Sequence, residues 1–249
     1  MQRYFIQDKP IDGIFEISGD DYHHITRVMR MDPGDEITVV FPDGRAALSE
    51  IVSMEHGIVK GNILYFLEED RELPVRVTIA SSILKGDKFD FIIQKGTELG
   101  ADAFVPFISS RSVVKLDAKK AAKRLERWKK IAKEASEQSE RNKIPVIHPL
   151  ASLDELPQLS SGYTIKVVAY EEKGRNNQND TLPKILNQLE NDDTLFFVFG
   201  PEGGFSEQEI AFLEQHDFRV CGLGPGILRA ETAPLYALAS ISFYFECLR

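Results

Sequence analysis

From residue 75 onward, strand patterns and helix patterns alternate along the chain. Apolar and β-branched runs predict strands at 75–83, 103–108, 144–147, 164–170, 195–199 and 218–221. Apolar residues at helical spacing predict helices after Asp87, at 118–140, at 182–189, after Ser206 and at 231–248. Because parallel strands need a crossover connection, which is usually a helix, this alternation predicts an α/β fold with a parallel sheet.

The first seventy residues have a different pattern, with short strands around one helix. Strands are predicted at 4–6, 14–17, 36–41, 46–54 and 58–67, with turn sequences between them. A helix is predicted from Ser18 or Asp20 to about Met31. The pattern indicates a compact β-barrel or a small sheet. A charged run at 68–72, with Pro74 behind it, then predicts a boundary between domains at 1–72 and 73–249.

The amino-acid composition indicates what class of protein the chain belongs to. Hydrophobic residues make up 43% of the chain and charged residues 28%, which is typical of a globular protein. Neither Cys221 nor Cys247 has metal or redox spacing, and the five histidines never fall at ligand spacing, so no metal site is predicted. The chain shows neither a signal-peptide pattern nor an apolar run long enough to span a bilayer, and we expect a cytoplasmic protein.

The charge of the chain is unevenly distributed. The net charge of −9 argues against a nucleic-acid partner when taken alone. Between Lys115 and Lys133, however, nine Lys or Arg residues stand against only two acidic ones, Asp117 and Glu126. Such a basic stripe can contact RNA phosphates, although taken alone the pattern favours a solvated helix face.

Two glycine-rich loops directly follow predicted strands. The first is Gly-Pro-Glu-Gly-Gly at 200–204, and the second is Gly-Leu-Gly-Pro-Gly at 222–226. In parallel α/β sheets, ligands bind beyond the carboxyl ends of the strands, and glycine allows the backbone to approach a ligand closely. The loops therefore predict a ligand pocket, with simple tight turns as the alternative.

The spacing of the glycines argues against the common phosphate sites. The first loop lacks a following Lys-Ser/Thr, so it is not a P-loop. The second reads G-x-G-x-G rather than G-x-G-x-x-G, and only one predicted helix follows it, whereas a Rossmann fold opens with its fingerprint. Glu202 and Glu231 suit an adenosine ligand better than a polyphosphate, because carboxylates repel phosphate but accept hydrogen bonds from ribose hydroxyls.

The two loops belong to longer motifs. The first motif is Gly-Pro-Glu-Gly-Gly-Phe-Ser at 200–206 followed by Glu209, and the second is Leu-Gly at 223–224 followed by Ile-Leu-Arg-Ala-Glu-Thr-Ala at 227–233. Further motifs are Lys-Gly-Asp at 85–87, Gln-Lys-Gly-Thr-Glu-Leu-Gly at 94–100, Arg-Ser-Val-Val at 111–114, Glu-Gln-Ser at 137–139 with Arg141, and His23-His24 with Val28, Arg30, Gly34 and Asp35. Together these motifs cover nearly the whole chain and resemble the RsmE family of SPOUT-class 16S rRNA (uracil-N3) methyltransferases.

This resemblance implies a fold, a cofactor and an assembly. Residues 1–72 would form a PUA-like barrel that helps to hold rRNA. Residues 73–249 would form a SPOUT methyltransferase domain, whose parallel sheet ends in a trefoil knot that holds S-adenosylmethionine (SAM). Family members act as homodimers, and the strongly apolar last predicted helix agrees with a buried or dimer-facing element.

The resemblance and the positions of the two loops together predict which residues form the site. Arg229 directly follows the second loop and is the catalytic candidate, because a cation there would stabilise negative charge on the uracil carbonyl oxygens. The alternative is a structural ion pair of Arg229 with Glu98 or Glu231, and Glu98 is a weaker candidate for a general base. The expected SAM-binding residues are Phe199, Gly200, Glu202, Gly203, Leu223, Gly224, Ile227, Leu228 and Ala233. The expected RNA contacts are Arg30, Arg111, Lys115, Lys119, Arg124 and Arg141.

Two positions depart from the family pattern. Gly226 stands where a basic residue is expected, and Glu140 stands where a small one is expected. Neither change removes a loop glycine or Arg229, so the predicted function is methylation of N3 of a uridine in 16S rRNA, on the assembled 30S subunit. The alternatives are a SPOUT enzyme acting on a ribose 2′-hydroxyl or on tRNA, and a non-catalytic RNA-binding factor in ribosome assembly.

Overall fold

A computed structural model describes residues 2–68, 71–112, 117–170 and 181–248 of the 249-residue chain. The chain forms two compact units: Met1–Glu72 with Ser136–Lys143, and Leu73–Ala135 with Ile144–Arg249. The apolar spacing of the sequence does not reveal that Ser136–Lys143 joins the first unit, because the helical pattern continues across Ser136 without a break.

The first unit is a five-stranded sheet with one helical segment. Its strands are β1 (Arg3–Phe5), β2 (Ile14–Ser18), β3 (Glu36–Val40), β4 (Ala46–Glu55) and β5 (Ile58–Phe66). They lie in the order β1-β3-β4-β5-β2, in which only the β1–β3 pair is parallel. Helix α1 (Gly19–His23) continues as a π-helix, His24–Met29. The prediction of a small N-terminal β domain is therefore confirmed.

A buried arginine attaches Ser136–Lys143 to this unit. Arg141 is 3% exposed, and its Nε donates a hydrogen bond of 3.2 Å to Glu72. Glu72 also accepts from the backbone N–H of Asn142 at 2.9 Å, and Arg3 donates to the Arg141 carbonyl at 3.0 Å. Because the Arg141 guanidinium is buried and paired with Glu72, it has a structural role in this unit, and its contact with RNA stays a prediction.

The second unit is built on a parallel sheet. Its strands are β6 (Arg76–Ser82), β7 (Ala103–Ile108), β8 (Val146–Ile147), β9 (Ala151–Ser152), β10 (Ile165–Ala169), β11 (Thr194–Phe199) and β12 (Arg219–Cys221). The order is β12-β10-β11-β6-β7-β8, with β9 also paired to β7. All pairs formed between these strands are parallel, which confirms the predicted sheet. The two-residue strand β9 was not predicted.

Helices cover this sheet, and none in the described ranges is long and apolar enough to cross a membrane. They are α2 (Lys88–Glu98), α3 (Ala118–Gln138), α4 (Leu156–Leu159), α5 (Thr181–Leu186), α6 (Glu207–Gln215) and α7 (Ala233–Phe243). Ser206 caps α6 as predicted, and Glu209 completes the capping box. Asp87, predicted to cap α2, makes no capping hydrogen bond through its side chain; instead its carbonyl accepts from the Phe91 N–H at 3.1 Å.

The core of the second unit lies on both faces of the sheet. Along β11, alternate side chains point to opposite faces, as in any strand. Leu195, Phe197 and Phe199 join the cluster that includes residues of α2, α3 and α7, while Phe196 and Val198 join the cluster that includes residues of α6. Burial on both faces explains why β11 reads as a continuous apolar run rather than an alternating one. The trefoil knot implied by the resemblance stays a prediction.

Candidate active site

Loops at the carboxyl ends of parallel strands surround a cavity of about 650 Å³ in the second unit. They follow β6, β7, β10, β11 and β12, and this volume is typical of small-molecule sites. All nine residues predicted to bind SAM line this cavity, and so do Arg229 and Arg111. The structure therefore brings together side chains that lie far apart in the sequence, while their roles stay a prediction.

The first glycine-rich loop packs against the side chain of Phe205. This side chain is buried and stacks against Phe107 with ring centroids 6.4 Å apart. A Cβ added at Gly200 would lie 3.1 Å from the Phe205 ring, and Gly204 has a φ of +66°. A side chain at Gly200 would therefore force the Phe205 ring to shift, and the left-handed backbone at Gly204 favours glycine.

Hydrogen bonds in both directions connect the first glycine-rich motif, residues 200–206 with Glu209, to the loop that follows β7. Nη1 of Arg111 donates to the carbonyls of Gly203 and Phe205 at 3.2 and 3.3 Å. In the opposite direction, Glu209 accepts from the Ser109 hydroxyl at 2.9 Å and the Ser110 N–H at 2.8 Å. The predicted RNA contact Arg111 thus also has a structural role, because it holds one wall of the cavity.

The Glu209 carboxylate is 8% exposed and is stabilised in its charged form. Burial works to raise the pKa of Glu209, but hydrogen bonds from Ser206, Ser110 and Ser109 outweigh it, so that the pKa lies below its ordinary value. A buried carboxylate with this many donors is ionised at neutral pH and orders both loops.

The second glycine-rich loop is more open than the first. Gly224 has a φ of +119°, so a side chain there would strain the backbone. Gly226 has no such φ, and a Cβ added to it would meet no atom within 4 Å. Neither backbone nor packing therefore requires glycine at Gly226, and the space that the expected basic side chain would occupy is open. Just before the loop, burial raises the pKa of the Cys221 thiol to about 12, so that Cys221 acts as a neutral packing residue.

Three charged side chains meet at the cavity. The Lys88 ammonium lies 3.2 Å from Oε2 of Glu231 and 3.7 Å from Oε1 of Glu202. The backbone N–H of Lys85 also donates to Glu202 at 3.2 Å. Burial works to raise the pKa of Glu231, but its own backbone N–H, Lys88 and the charge of Arg229 together lower it.

Arg229 is exposed at the wall of the cavity and has no carboxylate within 4.0 Å among the described residues. Glu98 is paired with Lys95 at 2.7 Å, and Glu231 is paired with Lys88. The alternative of a structural ion pair for Arg229 is therefore not supported. Glu98 does not contribute to the described lining of the cavity, which fits its pairing role better than a role as general base.

Two residues of the site, Lys88 and Tyr170, were not predicted from the sequence. Lys88 directly follows the Lys-Gly-Asp motif, but its pairing with Glu202 and Glu231 appears only in three dimensions. Tyr170 ends the predicted strand 164–170 and lines the cavity. Tyr170 lies at the carboxyl end of a parallel strand, which is where ligands bind. The chemistry of its side chain, however, gave no reason to predict it as a site residue.

The predicted RNA contacts lie on both units. Lys119 and Arg124 are on α3 and have no carboxylate within 4.0 Å in the part of the chain described. Lys120 and Arg127 on the same helix are instead paired with Asp117 and Asp90. Lys115 lies outside the described residues. In the first unit, Arg30 is exposed and follows the π-helix with a φ of 55°.

Comparison with known proteins decides the family. The model of an RNA methyltransferase domain matches residues 71–242, and that of an RNA methyltransferase PUA domain matches residues 17–64. The ribosomal RNA small subunit methyltransferase E of Bacillus subtilis (strain 168) is 49% identical over 253 aligned positions, which cover 100% of this chain and 99% of that protein. The chain belongs to the RsmE family.

Other members of the RsmE family are similar to this chain over most of its length. The protein of the same name from Synechocystis is 32% identical over 95% of this chain and 75% of its own. A crystal structure of ribosomal RNA small subunit methyltransferase E from Neisseria gonorrhoeae, bound to S-adenosyl methionine, superposes with a TM-score of 0.86. It is 31% identical and covers 98% of both chains.

The Glu209→Gln substitution tests whether the buried carboxylate orders the site. Because the pKa of Glu209 is lowered in the folded state, its stabilisation is complete above the ordinary glutamate pKa of about 4.3 and is lost as pH falls below it. We expect Glu209→Gln to lower Tm by about 3–8 °C at pH 7, and by less at pH 3. The exposed Glu214→Gln on the same helix is the control, and an equal loss at both pH values would contradict a role for the charge.

Proposed function

We propose that this protein is a SAM-dependent methyltransferase that modifies N3 of a uridine in 16S rRNA, with the assembled 30S subunit as its substrate. The observation that carries the proposal is the cavity formed by the two glycine-rich loops, with Arg229 at its wall, in a member of the RsmE family. Since the substrate is ribosomal RNA, we also propose a cytoplasmic location.

The residues of the cavity fit SAM. Glycine at Gly200 and Gly224 allows the backbone to approach a ligand, so that N–H and C=O groups can bind the adenine edge. Glu202 and Glu231 suit a ligand that carries hydroxyls, an ammonium group and a sulfonium cation. The proposed binding residues are Phe199, Gly200, Glu202, Gly203, Leu223, Gly224, Ile227, Leu228 and Ala233, all of which line the cavity.

When bound, SAM supplies an electrophilic methyl group on a sulfonium centre. The protein has to orient the uracil ring in line with that methyl group and stabilise the ring as N3 loses its proton. Negative charge then moves onto the carbonyl oxygens that flank N3. Arg229 is free of ion pairs among the described residues, so its guanidinium is available to donate hydrogen bonds to these oxygens.

We assign RNA binding to basic residues on both units. Lys119 and Arg124 on α3, and Arg30 in the first unit, have no carboxylate within 4.0 Å among the described residues. Lys115 and Arg111, the latter in addition to its structural hydrogen bonds, complete the proposed set. These cations would hold phosphates and position the RNA, while recognition of the base takes place at the cavity.

We also propose that the protein acts as a homodimer through α7. This helix buries Leu238 and Ile241 in its own unit, yet Phe243 is 56% exposed and Tyr236 is also exposed. These two aromatic residues are seven positions apart and therefore lie on one face of the helix. A second copy of the chain would cover them.

The Arg229→Ala variant tests the proposed chemistry. Because Arg229 would act mainly in the transition state, we expect turnover to fall by about 10²- to 10³-fold while the Kd for SAM changes by less than about threefold. The assay incubates labelled SAM with 30S subunits from a deletion strain, followed by nucleoside analysis. Arg219→Ala, which removes an arginine outside the cavity, is the control. Near-normal turnover in Arg229→Ala would remove Arg229 from the mechanism, and product other than N3-methyluridine would support another RNA target.

Charge reversal on α3 tests the proposed RNA surface. We expect Lys119→Glu with Arg124→Glu to weaken RNA binding and to reduce the salt slope by about 1–2, since each phosphate contact contributes about 0.7–0.9. Binding is measured by titration across a range of salt concentrations. Lys129→Glu is the control, because Lys129 is already paired with Glu126 at 2.9 Å. An unchanged slope would favour a merely solvated face.

The Phe243→Lys variant tests the proposed dimer. A charge at the centre of an apolar contact is costly to bury, so we expect sedimentation to change from the mass of two chains to that of one. Phe91→Lys is the control, since Phe91 is similarly exposed but lies on α2. A wild-type protein that sediments as a monomer would disprove the proposed assembly.

A further inference from the structure

Lys88 joins segments that are distant in the sequence at one wall of the cavity. It is the first residue of α2, while Glu202 belongs to the first glycine-rich loop and Glu231 precedes α7. Its ammonium lies 3.2 Å from Glu231 and 3.7 Å from Glu202. Through this one cation, Glu202 and Glu231, two of the carboxylates that line the cavity, are held near each other.

The two carboxylates have different surroundings. The Glu231 side chain is only 17% exposed, lies closer to Lys88 and has a lowered pKa. It therefore acts as the anchor for the ammonium. Glu202 is held at one oxygen, Oε1. This oxygen accepts a hydrogen bond of 3.2 Å from the Lys85 N–H and lies 3.7 Å from the Lys88 ammonium. Its other oxygen, Oε2, has no hydrogen-bond partner among the described residues.

Lys88 also reduces an unfavourable interaction. Without a cation between them, two carboxylates at a partly buried site repel each other, and each is driven to turn away. With Lys88 in place, Glu202 keeps one orientation. A carboxylate with one oxygen fixed and the other free is suited to accept hydrogen bonds from a hydroxyl or ammonium group of a ligand.

We propose that Lys88 is a positioning residue for the cofactor: anchored by Glu231, it orients Glu202 so that the free carboxylate oxygen binds SAM. The inference rests on the proposed function of the cavity. It assigns to Lys88 an effect on cofactor affinity, exerted through Glu202, and no contact with the reacting atoms.

Calorimetric titration of the full-length protein with SAM tests this role. We expect Lys88→Met to weaken SAM binding about five- to tenfold at low salt, as the loss of two partly exposed ionic contacts implies. In the methyl-transfer assay, the KM for SAM should rise by a similar factor while kcat changes by less than about twofold. Lys88→Arg keeps the charge and should restore the affinity to within about threefold.

A matched control separates this role from the general effect of losing an ion pair on α2. Lys95 lies on the same helix, is exposed to a similar degree and is paired with Glu98, but it does not line the described cavity. Lys95→Met should therefore leave the Kd for SAM unchanged. Equal weakening in Lys95→Met and Lys88→Met would overturn the inference.

A double-mutant cycle decides whether Lys88 acts through Glu202. In the Glu202→Gln background, the further change Lys88→Met should weaken SAM binding by less than about twofold. A loss as large as in the wild-type background would mean that Lys88 does not act through Glu202. If wild-type protein binds SAM and Lys88→Met binds it equally well, only the role of Lys88 fails. If the wild type does not bind SAM, the proposed function itself fails.

Discussion

Because the strands of the second unit pair in parallel, the loops that line the cavity all leave the sheet at the same edge, which is formed by the carboxyl ends of the strands. Strand β10 lies between β11 and β12 and is parallel to both, so the two glycine-rich loops leave on either side of it. The same constraint brings the loops after β6 and β7 to this edge. Lys88 and Arg111 therefore reach the cavity although neither lies in a glycine-rich motif.

Glycine makes these loops possible but does not determine their positions. The first loop is held by Arg111 on its carbonyls and by the hydrogen bonds of Glu209. Lys88 lies 3.7 Å from Glu202, which lines the same cavity. In each case an ionised group is satisfied by fixed donors or a fixed counter-charge. The site is thus organised before a ligand arrives, which reduces the cost of binding.

The sequence predicted the elements of the sheet and the lining of the cavity, because both depend on local patterns. Apolar runs predict strands such as β11, and glycine-rich loops after two of them predict where a ligand binds. Ion pairs between residues that are far apart in the sequence leave no such local pattern. Arg141 shows this limit: its motif suggested an RNA contact, whereas in the structure it is buried against Glu72. The Lys88 contacts were missed for the same reason.

The inclusion of Ser136–Lys143 in the first unit has a consequence for how the protein is made. During synthesis, residues 1–72 leave the ribosome long before Arg141 and Asn142 exist. Until they appear, the hydrogen bonds that join Arg3 and Glu72 to Arg141 and Asn142 in the finished protein cannot form. The first unit is therefore completed only after more than half of the chain has been translated, and a fragment cut at Glu72 would expose polar groups that are buried in the intact protein.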